Sequence, residues 1–200
     1  MRRTLASSLV LTLALGAAPA FANVPSAANS TVPACLSACP LGDMPITIVV
    51  RDIASNPVGF SQVVLEFANC PGFYLCPIAS NDPYTGIPGD PTAVRAFTNS
   101  AGSVTFPLRA GGGCAANTVN VFADGVLLAQ RAFSSPDQNG DGVVLSADQA
   151  LLAAKVGGSD PTGDLDCSGT VTAADQTIAG QHGSHSCNGI VNPVQRRSWG

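Results

Sequence analysis

Charged residues are scarce in this 200-residue chain, at 11% of the sequence, whereas about 25% is usual in soluble domains. The nine basic residues form no stripe or cluster, which argues against a nucleic-acid partner. Mixed surface charge normally keeps small domains apart in solution. We therefore expect much of the surface to be buried against other copies of this chain; a neutral surface of Ser, Thr, Asn and Gly is the simpler alternative.

Long hydrophobic runs are also lacking, and none approaches the roughly twenty apolar residues that a membrane-spanning helix needs. The chain opens with Met-Arg-Arg, continues with an apolar run over residues 9–18 and then has an Ala-x-Ala site that ends at Ala22. These features are typical of a bacterial-type secretory signal. Residues 1–22 are therefore predicted to be a signal peptide, and the mature chain to be extracellular or at the cell surface.

Catalytic motifs are missing as well. The chain has no nucleophile elbow, no glycine-rich phosphate loop and no paired His/Glu metalloprotease motif. Gly111-Gly112-Gly113 is interpreted as a flexible turn rather than a ligand cradle. His182 and His185 would suit a transition metal, but their Gly/Ser-rich surroundings favour a solvated tail. We therefore expect a protein that is not an enzyme.

Cysteines are present in an odd number. In an oxidising compartment they indicate a disulfide framework, with one thiol left free, paired between chains or modified. Zinc is disfavoured, because the Cys-x3-Cys and Cys-x5-Cys spacings are loose and no histidine lies nearby. Cys70 and Cys76 are disulfide candidates, and a Cys167–Cys187 bridge would stabilise the C-terminal part by roughly 3 kcal/mol. The seven cysteines are Cys35, Cys39, Cys70, Cys76, Cys114, Cys167 and Cys187.

Residues 45–133 have the pattern of short β-strands. Turn residues such as Asn56-Pro57 separate six runs that are rich in β-branched and aromatic residues. Asp124-Gly125, between two apolar runs, predicts a tight hairpin. The fold is therefore expected to be mainly β, with a β-sandwich over residues 45–133. The six predicted strands are residues 46–51, 62–67, 93–97, 103–108, 118–122 and 126–133.

Two segments of this region resemble the bacterial Ig-like repeats of surface adhesins. Residues 50–52 (Val-Arg-Asp) precede Asn56-Pro57-Val58, and residues 98–106 have the pattern Thr-x-x-x-Gly-x-x-x-Phe. The resemblance implies an Ig-like sandwich that serves as a spacer, adhesin or fibre module rather than as the scaffold of an active site.

An extended segment over residues 23–44 precedes the predicted sandwich, and its first twenty residues carry no charge. Six strands are one fewer than a seven-stranded sandwich has. A strand near residues 26–32 would complete its own sandwich or, as a donor strand, that of a neighbouring copy. The donor-strand candidates are Ser26, Ala27, Ala28, Asn29, Ser30, Thr31 and Val32.

Two twelve-residue loops, residues 137–148 and 164–175, have an EF-hand-like pattern. Short oxygen-bearing side chains stand at positions 1, 3, 5 and 12, a glycine at position 6 and a backbone ligand at position 7. Val144, at position 8, is expected to pair the first loop with the second. Two Ca²⁺ sites are predicted, and an Asx-turn cluster without metal is the alternative. The predicted ligands are Asp137, Asn139, Asp141, Val143 and Asp148, and then Asp164, Asp166, Ser168, Thr170 and Asp175.

A predicted helix follows each loop, over residues 147–156 and 174–181, but none precedes the first. This arrangement over residues 134–187 resembles the dockerin family, which implies a small α-helical module of paired calcium loop–helix units. Dockerins bind cohesin partners through loop positions 10 and 11, which here are Ser146-Ala147 and Ala173-Ala174. Only Ser146 has the usual hydroxyl. Residues 188–200 are expected to be a tail.

Two classes of function fit these features. The favoured one is a secreted structural subunit of an extracellular, pilus-like fibre, stabilised by calcium and disulfides and polymerising with copies of itself through its N-terminal segment. The other is a recognition or adhesin protein that attaches to a cohesin-like scaffold protein or a glycan.

Overall fold

The structure is a computed structural model that describes residues 23–190. The predicted signal peptide and the end of the predicted tail lie outside these residues. Within them the chain is mainly β, and neither helix is long and apolar enough to cross a membrane. The strands are β1 (Leu36–Ser37), β2 (Ile46–Val49), β3 (Gln62–Glu66), β4 (Phe73–Leu75), β5 (Thr85–Ile87), β6 (Asp90–Phe97), β7 (Ser103–Phe106), β8 (Ala110–Gly112), β9 (Cys114–Ala123), β10 (Val126–Ser134), β11 (His185–Ser186) and β12 (Gly189–Ile190), and the helices are α1 (Ser146–Ala153) and α2 (Ala173–Gln181).

The largest sheet has six strands in the order β1-β10-β9-β3-β6-β5. Its neighbouring strands are antiparallel except β1 and β10, which run parallel with Leu36 opposite Phe133. β9 and β10 form a hairpin whose turn residues, Asp124 and Gly125, have φ angles of 46° and 81°. Two consecutive positive φ angles are what a tight two-residue hairpin turn requires. The hairpin predicted at this dipeptide is therefore confirmed.

Strands β2 and β7 form a separate antiparallel pair. Every second residue of this pair is buried, as is every second residue of β3, which is the period of a strand with one face on the core. These side chains join one apolar cluster, so the curled main sheet and the β2–β7 pair share a core. Fully buried members of that cluster include Ile48, Val63, Leu65, Phe106 and Val121.

All six predicted strands are present, as β2, β3, β6, β7, β9 and β10. The strands that the sequence pattern missed have two or three residues each, which is too short for periodicity to be recognised. The interpretation of Gly111-Gly112-Gly113 as a flexible turn is wrong. Its first two residues lie in the buried strand β8, which pairs with β4. Gly112 has a φ of +82°, and a Cβ there would overlap the carbonyl oxygen of Gly72.

The N-terminal segment lies against its own chain at the edge of β2. Thr31 N donates to Val49 O at 2.7 Å, and Val49 N donates back to Thr31 O at 3.0 Å. Just before this bridge, Ser30 N donates to Ser26 O at 2.9 Å and closes a turn. Residues 26–32 therefore form a turn and a single-residue bridge rather than the continuous strand that was predicted.

Disulfides tie the β region (residues 23–133) to the C-terminal unit (residues 134–190). Two of the three bridges join these parts, and the third lies within the β region. The predicted Cys167–Cys187 bridge is wrong, because each of these cysteines faces a β-region cysteine whose Cα lies 5.5 Å or 5.4 Å away. Cys39 is the free cysteine and is fully buried. The bridges are Cys35–Cys167, Cys70–Cys114 and Cys76–Cys187.

Candidate metal centre

The first acidic loop (residues 137–148) folds its main-chain amides around the carboxylate of Asp137. The Oδ1 atom accepts hydrogen bonds from Gly140 N at 2.9 Å and Asp141 N at 3.2 Å, and Oδ2 accepts one from Gly142 N at 2.8 Å. The side chain of Asp137 is fully buried. A sharp turn is thus closed around the first predicted calcium ligand.

Asp148, the last residue of this loop, is also the third residue of α1. Its Oδ2 accepts from Leu145 N at 2.8 Å, and its Oδ1 accepts from Asn139 N at 3.2 Å. A carboxylate at this helix position favours the helix start, because it satisfies a free amide and complements the helix dipole. The helix therefore fixes the residue that closes the loop.

The second acidic loop (residues 164–175) repeats this network. When positions are counted from each first aspartate, five hydrogen bonds join the same positions in both loops. The side chain at position 1 accepts from the main-chain amides of positions 5 and 6, and the side chain at position 3 accepts from the main-chain amide of position 5. The side chain at position 12 accepts from the main-chain amides of positions 3 and 9. The correspondence predicted from the residue pattern is thus present in the backbone.

Carboxylate oxygens of the second loop lie close together, whereas among the described residues those of the first loop form no such group. One carboxylate oxygen from each of Asp164, Asp166 and Asp175 lies within 4.8 Å of the others. Oxygens bound to one Ca²⁺ at roughly 2.4 Å lie up to about 4.8 Å apart, so this spacing fits the cation. Ser168 Oγ donates to the carbonyl oxygen of Thr170 at 3.1 Å, which brings two further predicted ligands together.

Position 4 has left-handed backbone in both loops. It is Gly140 in the first loop, with φ of 69°, and Cys167 in the second, with φ of 61°. A residue with a side chain adopts this conformation at a cost. The disulfide from Cys167 to Cys35 holds the strained residue and anchors the second loop to the β region.

Strand β8 lies directly beneath the first loop. Gly112 N donates to Asp137 O at 2.6 Å, and a Cβ on Gly111 would overlap Asp137 Oδ2. Glycine is therefore needed at residue 111 for the first loop to approach β8. The sequence shows three consecutive glycines but does not reveal that the first acidic loop packs against them.

The expectation that Val144 pairs the first loop with the second is wrong. Val144 N donates to His185 O and Val144 O accepts from Ser184 N, both at 2.8 Å, so this residue pairs with the segment after α2. Its counterpart Val171 pairs instead with Gly157 and Gly158, at 2.9 Å each. Each loop is therefore braced by a different connecting segment.

Carboxylates in the loops carry uncompensated charge. Burial, reinforced by neighbouring carboxylates, raises the pKa of Asp137 to about 6, and burial also raises the pKa of Asp164. The hydrogen bond from Ser168 lowers the pKa of Asp166. In the described part of the chain, none of the six loop aspartates forms an ion pair with Lys or Arg. A bound cation would supply the missing positive charge.

Comparisons of this chain with protein-family models, with curated proteins and with solved structures found no match.

Proposed function

We propose that the two acidic loops bind one Ca²⁺ each and that calcium serves a structural role. The observation that carries this proposal is the shared set of five hydrogen bonds, which joins the same positions in two loops that differ in sequence. Every predicted ligand atom is an oxygen from a short side chain or a main-chain carbonyl, which is the donor set that a hard cation prefers.

Calcium would hold the C-terminal unit against the β region. Asp137 in the first loop contacts β8 through its main chain. In the second loop, Leu165 O accepts from Ser37 Oγ of β1 at 3.1 Å, and Asp164 O accepts at 3.0 Å from Ser134 Oγ, in the residue that ends β10. Because both loops contact strands of the β region, neutralisation of their carboxylates by calcium would stabilise the whole chain and not the C-terminal unit alone.

We further propose an Ig-like sandwich for the β region and a dockerin-like module for the C-terminal unit. Strands β3, β9 and β10 are neighbours in one sheet, while β2 pairs with β7 in the other, which corresponds to the C-F-G and B-E pairings of Ig-like sandwiches. The strand β1, parallel to β10, extends the first sheet. A domain of this kind suits a non-enzymatic, secreted structural protein.

The assembly that we favour is a fibre of copies joined by their N-terminal segments. Cys35 is bridged to Cys167, so residues 23–34 form an arm anchored at one end. About twelve residues span up to roughly 40 Å when extended, which is sufficient to reach a neighbour. There the arm would replace that copy's own arm at the edge of β2, and a head-to-tail exchange of this kind does not close on itself.

Electron microscopy of the secreted chain in calcium tests this assembly. Filaments are expected for the wild type, and deletion of residues 23–33 should leave monomers. Thr31→Pro, which removes the amide that bonds to Val49, should also weaken assembly, whereas Thr31→Val keeps that amide and serves as the control. Filaments of unchanged form from the deletion variant would refute the proposed exchange.

Attachment to a scaffold protein is the second candidate. Ser146, Ala147, Ala173 and Ala174, which stand at loop positions 10 and 11, are all exposed. They are therefore accessible to a cohesin-like partner. Under this alternative the wild-type chain is a monodisperse monomer in calcium.

A further inference from the structure

Four side chains from distant parts of the sequence meet at the junction between the β region and the C-terminal unit. Cys39 and Asp43 flank a turn that follows β1, in which Gly42 N donates to Cys39 O at 2.8 Å. His182 is the C-cap residue directly after α2, and His185 begins β11. One ligand-type atom from each of the four lies within 4.8 Å of all the others.

Distances within this group have the values expected around a single metal ion. The Nδ1 atom of His185 lies 3.5 Å from Cys39 Sγ, 3.2 Å from Asp43 Oδ2 and 3.3 Å from His182 Nδ1. His182 Nδ1 lies 3.1 Å from the same Asp43 oxygen. Ligands of a tetrahedral ion at about 2.0–2.3 Å lie roughly 3.2–3.6 Å from one another, and these four separations, of 3.1–3.5 Å, are close to that range.

Hydrogen bonding alone does not account for the arrangement. An imidazole nitrogen carries either one proton or one lone pair, yet His185 Nδ1 faces three polar atoms at 3.2–3.5 Å. At most one of these contacts is a well-directed hydrogen bond. Lone pairs that converge on a common centre are instead the arrangement that a metal ion requires.

A catalytic Cys-His-Asp relay is also inconsistent with the geometry. Such a relay uses opposite nitrogens of the imidazole, one towards the nucleophile and one towards the carboxylate. Here the sulfur of Cys39 and the carboxylate of Asp43 both lie beside Nδ1 of His185. The thiol of Cys39 is moreover fully buried, so neither a substrate nor a cysteine of another chain reaches it.

We propose that Cys39, Asp43, His182 and His185 form a tetrahedral transition-metal site, for which Zn²⁺ fits best. One thiolate, two imidazoles and one carboxylate are a donor set typical of zinc, whereas the oxygen-only loops suit calcium. The site shares no ligand with the proposed calcium sites. It accounts for the seventh cysteine and pins the end of α2 to the turn after β1.

Contacts within the fold hold the segments that carry the four proposed ligands. Gly42 has a φ of +85°, and a Cβ there would lie 2.8 Å from Cγ of Arg109, so the turn that carries Cys39 and Asp43 rests on that side chain. Val144 N donates to His185 O at 2.8 Å, which ties β11 to the first acidic loop. Asp43 is the most exposed ligand, with 37% of its side-chain area accessible, and forms the entrance.

The test is a cobalt titration of the metal-stripped mature chain, with disulfides intact and calcium present in excess to fill the loops. One equivalent of Co²⁺ should produce a thiolate-to-cobalt charge-transfer band, and one equivalent of Zn²⁺ should abolish it. Cys39→Ser should eliminate the band and leave calcium uptake unchanged. His182→Gln should weaken cobalt binding at least about a hundredfold, since it removes one of four bonds.

Asp43→Asn provides the variant least prone to misfolding, because its side chain is partly exposed. It should keep the band while weakening the affinity, since water is able to replace an exposed oxygen ligand. Absence of the band in the folded wild type, or equal zinc uptake by wild type and Cys39→Ser, would overturn the proposal.

Discussion

The two acidic loops share five hydrogen bonds but differ in how the β region holds them. The first loop has glycine at position 4 and lies on the glycine-containing strand β8, so that close packing fixes it. The second has Cys167 at that position, and a disulfide to Cys35 fixes it. The main-chain hydrogen bonds of the loops are therefore preserved, while the means of attachment to the β region varies.

This difference implies that the loops are separately vulnerable. A substitution in β8 should affect the first loop through steric overlap, and loss of one disulfide should affect the second through chain entropy. The proposed calcium affinities then respond independently, since each loop is braced by its own connecting segment.

The largest effect is expected from removing the tether of the second loop. The double substitution Cys35→Ala and Cys167→Gly removes a disulfide between cysteines that are 132 residues apart in sequence. Its loss should lower the free energy of unfolding by roughly 4 kcal/mol, because the unfolded chain gains conformational entropy. Glycine at residue 167 keeps the left-handed backbone without strain. Calorimetry should show weaker calcium binding by the second loop only.

A matched control is the pair Cys70→Ala and Cys114→Ala, whose bridge lies within the β region. It should lower stability but leave both calcium affinities close to those of the wild type. If both disulfide variants weakened calcium binding by the second loop equally, the Cys35–Cys167 disulfide would not be the specific anchor of that loop.

An intermediate effect is expected from Gly111→Ala. The added methyl group would overlap Asp137 Oδ2, and overpacking of this kind costs about 1–3 kcal/mol. Calcium affinity of the first loop should fall at least about tenfold, since about 1.4 kcal/mol corresponds to a factor of ten. The second loop should be unaffected in the same titration.

Gly180→Ala is the control for this substitution, because nothing lies within 4 Å of a Cβ at that helical position. Alanine is the better helix former, so this variant should be slightly more stable than the wild type. Equal losses of calcium binding in the two variants would contradict the proposed contact between β8 and the first loop.

The smallest effect is expected from Ser168→Asp, which gives the second loop the residue type that the first has at position 5. Adding a carboxylate ligand raises the calcium affinity of a loop, and we expect an increase of about threefold to tenfold. The reciprocal change, Asp141→Ser, should weaken the first loop by a similar factor. A lower calcium affinity for Ser168→Asp together with a higher one for Asp141→Ser would show that position 5 does not contact the cation.

Local features of this fold are predictable from sequence. The six strands of four or more residues, the hairpin at Asp124-Gly125 and the helices after each loop all follow from patterns within a few residues. The spacing of carboxylates likewise identified both loops, because neighbouring residues build each turn.

Long-range relations were beyond sequence reasoning. The partner of Cys167 lies 132 residues away, and no local pattern marks it. The same holds for β8, whose glycines are explained only by the loop above them, and for Val144, whose partner is the segment after α2 rather than the other loop. His182 and His185 meet Cys39 only in the folded chain.

Isothermal titration of the metal-free chain of residues 23–200 with calcium tests the central claim most directly. We expect two Ca²⁺ ions bound by the wild type, one by Asp137→Ala, one by Asp164→Ala and none by the double variant. Each single variant should lose the ion of its own loop, because position 1 is a proposed ligand and its carboxylate accepts the main-chain hydrogen bonds that close the turn. Absence of calcium uptake by the wild type at millimolar concentration, or unchanged stoichiometry in the single variants, would contradict the account.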